Sequence, residues 1–175
     1  MRRAVTLVVS VLLAAASPAN DQLYAALKAA PDEQAAGAVE SRLHMVARAA
    51  GSPAAGILVD RAVRELQANA PGPATDDLDA ALTIDPGFTE ALSMRAAAKL
   101  MDGHAREAVV DAGAALKLDP RAFSAMQTLS RALEALGDFK GALAAWDQAL
   151  LLDPQTHDAR ARHTVLSRRA LGEDI

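Results

Sequence analysis

The chain has 175 residues, of which 51% are hydrophobic and only 3% aromatic, with a formal charge of −4 and no cysteine. Without cysteine there are no disulfides, no thiolate metal sites and no thiol catalysis. A mildly acidic balance argues against a general nucleic-acid binder, which needs a basic face to neutralise phosphates.

The first element in chain order is MRRAVTLVVSVLLAAASPAN, in which Arg2 and Arg3 precede a 13-residue apolar run from Ala4 to Ala16 and then a small-residue stretch. That order reads as a secretory signal peptide over residues 1–19, with cleavage after Ala16 or Ala19. The run is well short of the roughly 20 residues that span a bilayer, so no membrane insertion is expected after cleavage. No cysteine follows it to carry a lipid anchor. The expected product is periplasmic. Losing Arg2 and Arg3 leaves 16 basic side chains against 22 acidic ones, a formal −6. About 155 residues remain, enough to bury a core without staples.

Residues 20–52 hold two helical runs, DQLYAALKAA and DEQAAGAVESRLHMVARAAG, separated at Pro31. Pro31 suits a helix start, with Asp32 and Glu33 beside it to complement the dipole. Ser52 and Pro53 read as the N-cap and first turn of the next helix. The pair is either a degenerate repeat, since Pro53 lies 33 residues before Pro86, or an N-terminal cap.

A fixed period follows. Asp85-Pro86, Asp119-Pro120 and Asp153-Pro154 lie 34 residues apart, closing AALTIDP, AALKLDP and QALLLDP. Such a period marks a solenoid of helix pairs. Ala74, Ala108 and Ala142 share one position in this frame, and Ala81, Ala115 and Ala149 another. Small residues there let paired helices approach closely. Leu82, Leu116 and Leu150, then Ile84, Leu118 and Leu152, are expected to fill the seams between pairs. Asn69, Gly103 and Gly137 stand where the first helix of each pair must end in a left-handed turn.

These residues resemble the tetratricopeptide repeat (TPR) family, whose unit is a 34-residue helix pair. The third unit carries the resemblance best: in LEALGDFKGALAAWDQALLLDP, Gly137, Asp138, Phe139, Ala142, Trp146, Ala149 and Pro154 match the family pattern. The first two units depart from it. Leu58, Leu92 and Met126 replace the usual first-helix Trp, Glu65 and Lys99 a Tyr, and Arg61-Ala62 and Arg95-Ala96 the commonest Leu-Gly. The resemblance implies an all-α superhelical solenoid, with units at 53–88, 89–122 and 123–156, the helical pair of 20–52 before them and a capping helix in 157–175. The N-terminal opening is similar to those of exported TPR proteins of Gram-negative bacteria.

No constellation for chemistry emerges. His44, His104 and His157 lie far apart in the frame, and His157 and His163, six residues apart, do not share a helical face. They read as solvated or capping side chains, with no metal and no cofactor. No serine or threonine has a histidine at supportive spacing, and no Gly-rich phosphate loop is present. Asp76, Asp77 and Asp79 read as dipole complements near a helix start. Arg160, Arg162, Arg168 and Arg169 read as a solvated end helix, diluted by Asp158, Glu173 and Asp174.

The resemblance also implies a concave face lined by the first helix of each pair. Carried over, its residues are Gly56, Val59, Val63 and Leu66, then Glu90, Ser93, Ala97, Leu100 and Met101, then Ser124, Gln127, Arg131 and Glu134. The expected partner is a protein or peptide segment with an apolar anchor and a polar end. Some TPR domains clamp a chaperone's C-terminal carboxylate with Lys, Asn and Arg. At the matching positions here, from Val59, Asp60 and Val63 through Ser93, Met94 and Ala97 to Gln127 and Thr128, only Arg131 suits that role. The expected function is a non-catalytic scaffold of the bacterial cell envelope. The alternatives are a self-associating assembly module or an accessory subunit of an envelope enzyme.

Overall fold

The computed structural model describes residues 18–173; the apolar run of the signal peptide read from residues 1–19, and its cleavage point after Ala16, lie outside the described residues, whereas Ala19 lies in the first helix. The described residues form nine helices and no strand: α1 (Pro18–Lys28), α2 (Glu33–Ala49), α3 (Pro53–Gln67), α4 (Pro71–Ile84), α5 (Thr89–Met101), α6 (Ala105–Leu118), α7 (Phe123–Ala135), α8 (Phe139–Leu152) and α9 (Ala159–Ala170). None of them is long and apolar enough to cross a membrane.

From α3 to α8 the helices pair in antiparallel hairpins and stack into the expected all-α solenoid. Asn69, Gly103 and Gly137 take positive φ between paired helices. The alanines of the repeat frame explain the spacing: Ala74, Ala81, Ala108, Ala115, Ala142 and Ala149 are all fully buried. A methyl group at each contact keeps the helix axes close, and leaves little space for aromatic side chains. Curvature follows from which helices meet. Helix α3 touches α5 and α5 touches α7, whereas α4, α6 and α8 do not touch one another. Helices on the inside of a bend crowd together, so α3, α5 and α7 form the concave layer.

Two expectations about side chains are corrected. Ile84 and Leu118 do not fill seams; both are about half exposed at the outer ends of α4 and α6. Asp77 is not a dipole complement: α4 begins at Pro71, and Asp77 is a buried partner of Arg61. The same bond recurs one unit later, where Arg95 holds Asp111 at 2.8 and 2.7 Å. In the third unit the corresponding positions are Leu129 and Ala145, so the arginine and the aspartate disappear together. The arginines that depart from Leu-Gly are thus half of an internal brace. Burial pushes the Asp111 carboxyl up, but hydrogen bonds from Arg95 and Lys99 win and hold it below the usual carboxylate range.

At the far end α9 packs on α8. Trp146, almost wholly buried, donates its indole N–H to the Ala159 carbonyl at 3.2 Å. Arg162 stacks over that indole and reaches Glu134 at 2.8 Å, while Arg169 stacks over Phe139. These arginines are therefore engaged inside the fold rather than offered as a basic patch.

Candidate protein-interaction groove

The N-terminal hairpin does not extend the stack. Asp32 caps α2 by accepting the Ala35 N–H at 2.8 Å, and Ser52 caps α3 through the Ala55 N–H. The three residues between α2 and α3 turn the chain back sharply. Gly51 is required there, because a Cβ would fall 2.4 Å from the Phe88 ring. The Ser52 N–H also donates to the Asp85 carboxylate at 3.1 Å, tying the hinge to the first Asp-Pro turn. From this hinge α2 lies against α3 and α5, and α1 packs on α2 and α8.

The seat of the hairpin is partly apolar. Leu27, Ala36 and Leu43 are buried against Phe123, with Leu23, Tyr24, Val39 and Leu152 around them. Polar contacts then fix its register along all three units. Near the hinge, Arg48 faces Asp60 at 3.4 Å. One turn earlier, His44 Nδ1 meets Glu90 Oε1 at 2.8 Å, and its ring packs on Phe123 with centroids 5.5 Å apart. At the other end, His157 Nδ1 meets Glu33 Oε1 at 2.7 Å. Beside α1, Arg121 donates to Asp21 at 2.6 Å and lies 4.5 Å over the Tyr24 ring. Burial, then the nearby Asp119, pushes the Tyr24 hydroxyl up to about 12.

The residues expected to line the groove do not all stay on it. Val59 is wholly buried and Leu66 packs beside it, so both belong to the core. Glu90 is buried beneath His44, and Ser93 is buried with its hydroxyl donating to the Thr89 carbonyl at 2.9 Å. Gln127 and Arg131 remain on the face beside α2; Gln127 donates to the Thr156 hydroxyl at 2.8 Å. With Glu40 of α2 they line a cavity of about 200 Å³ between the hairpin and the third unit. Arg131 is exposed and makes no ion pair among the described residues. Val63, Ala97 and Leu100 are partly covered, and Met101 is about half exposed at the end of α5. Glu134 is taken by Arg162 and Arg169 of α9.

Sequence reasoning missed Phe123, His44 and Glu40 as parts of this face. His44 read as a solvated side chain, yet it is a half-buried partner of Glu90. Its contact spans 46 residues, a separation no local pattern reports.

Residues 123–156 match the family model of the tetratricopeptide repeat. No curated protein matches the sequence. Among solved structures, the chain is similar to the TPR domain of Sgt2 from Aspergillus fumigatus, at 27% identity over 68% of this chain and 80% of that one, with a TM-score of 0.64. It is also similar to the first TPR domain of human RPAP3, at 19% identity over 68% of this chain and 94% of that one, with a TM-score of 0.65. The first TPR of Spaghetti (RPAP3), solved with the HSP90 peptide SRMEEVD, gives 21% identity over 70% and 96% and a TM-score of 0.66. The solenoid is thus of the TPR type, and its third unit is a tetratricopeptide repeat.

Proposed function

We propose that this chain is a non-catalytic protein-interaction scaffold of the cell envelope, exported through a cleaved signal peptide, whose concave groove binds a helical segment of a partner. One observation carries the reading: a helix is already seated there. Helix α2 presents Ala36 and Leu43 to an apolar seat at Phe123, with His44 and Glu33 as polar ends. A partner with the same pattern would have to displace it. The groove supplies shape, one apolar seat and fixed charges. Arg131, exposed next to the seat and without an ion pair among the described residues, would meet an acidic group on the partner. A terminal-carboxylate clamp like that implied for an HSP90 peptide lacks its other donors here.

A photo-crosslinker at Gln127 tests this. The chain carrying Leu43→Asp, which loosens the hairpin, should capture an envelope protein more efficiently than the unaltered chain. Adding Arg131→Glu and Met101→Asp should abolish the gain. Capture that ignores all three substitutions would place binding elsewhere.

A further inference from the structure

We propose that the cavity between the hairpin and the third unit binds a small zwitterion of the free amino-acid class, with Arg131 and Thr156 holding its carboxylate and Glu40 and Gln127 its ammonium. The site belongs to the seated hairpin and goes beyond the groove reading above.

Two helices and a turn supply the walls. Glu33, Gly37 and Glu40 recur on α2 at the three- and four-residue spacing of one helical face, and Gln127 and Arg131 do the same on α7. The α8–α9 turn adds Thr156 and His157, and together they enclose about 200 Å³. That is less than the roughly 300–1,000 Å³ of pockets for drug-sized ligands, so it suits a single amino acid rather than a nucleotide.

The rim is already satisfied: His157 meets Glu33 at 2.7 Å and Asp158 at 3.2 Å. The inner groups are not. Thr156 is only 7% exposed, and its hydroxyl accepts from Gln127 at 2.8 Å, yet among the described residues its own O–H reaches no acceptor. Leaving a buried donor unused is costly. The Gln127 amide donates there, and its oxygen accepts no hydrogen bond among the described residues. Glu40 on the hairpin and Arg131 on the third unit both line the cavity, and neither has an ion pair among the described residues.

Two donors, one of them a cation, and two acceptors, one of them an anion, are thus left over around one small space. A simple anion there would meet the Glu40 carboxylate, and a simple cation would meet Arg131. A molecule carrying both charges satisfies all four groups, with a charge-assisted hydrogen bond at each end. The planar guanidinium of Arg131 suits a carboxylate in particular, since it can donate two parallel N–H bonds. Gly37 leaves room for the occupant. Glycine inside a helix is a cost, and no neighbour imposes it here, because a Cβ at Gly37 would meet nothing within 4 Å. Since α2 forms one wall and α7 another, the occupant binds only the seated hairpin and stabilises it by mass action.

Isothermal titration calorimetry of the whole chain with each of the common amino acids tests this. At least one should bind saturably, and at least about tenfold more tightly than the same molecule without its amino group or without its carboxyl group. Gly37→Leu fills the cavity with a good helix former and should abolish binding, as should Arg131→Gln, while the far-UV helicity of the ligand-free chain holds. Three results would overturn the proposal: no binding of any amino acid at millimolar concentration, a counterpart lacking one charge that binds as tightly as its parent, or undiminished binding to Gly37→Leu. No protein partner enters the titration, so this site and the groove reading stand or fall separately.

Discussion

Arg95 grips Asp111 across a helix pair with two parallel hydrogen bonds of 2.8 and 2.7 Å, and the aspartate is buried where the arginine is only partly so. Lys99 adds a third bond at 2.9 Å. The brace explains why an acidic residue sits inside an alanine-packed unit. Removing one side strands charge in the interior. Asp111→Ala should destabilise the fold by about 3 kcal/mol. Replacing both, Arg95→Leu with Asp111→Ala, copies the Leu129 and Ala145 of the third unit and should recover most of that loss. Denaturant melts of the three chains check this. Since the Asp111 carboxyl is held below its ordinary range, its contribution is present above pH 4 or so and is lost as pH falls further.

Ala108 has no exposed surface and lies on α6, which pairs with α5. Ala108→Leu should force the pair apart and cost about 1–3 kcal/mol. A thermal melt that barely moves would contradict the repeat frame.

Gly51 matters for position rather than for conformation. A Cβ there meets the Phe88 ring at 2.4 Å, and Phe88 is itself buried. Gly51→Ala should lift the hinge and increase proteolytic cleavage within residues 21–50, leaving α3 to α9 resistant. Limited proteolysis with mass spectrometry reads this directly.

The fold was largely legible because a 34-residue period repeats every local decision: the small contact, the left-handed turn, the Asp-Pro stop. Asn69, Gly103 and Gly137 could be placed in turns from chemistry alone. The groove was less legible. The family resemblance picks out Glu90, Gln127 and Arg131, but it cannot say that α2 lies over them, since nothing periodic links His44 to Glu90. Ile84 and Leu118 misled for a related reason. An aliphatic side chain at a repeat position implies burial only where another layer covers it, and only Leu152 has the hairpin above it.

The central claim is that the concave face is a helix-binding site occupied by the chain's own hairpin. A fluorescent peptide of residues 32–51, titrated with the chain carrying Leu43→Asp, tests it most directly. The account predicts saturable binding, at least about tenfold weaker binding to the unaltered chain whose own hairpin competes, and loss on adding Glu90→Arg. Equal binding to both chains, or none to the loosened one, would show that α2 merely rests on this face and that the groove is not a site.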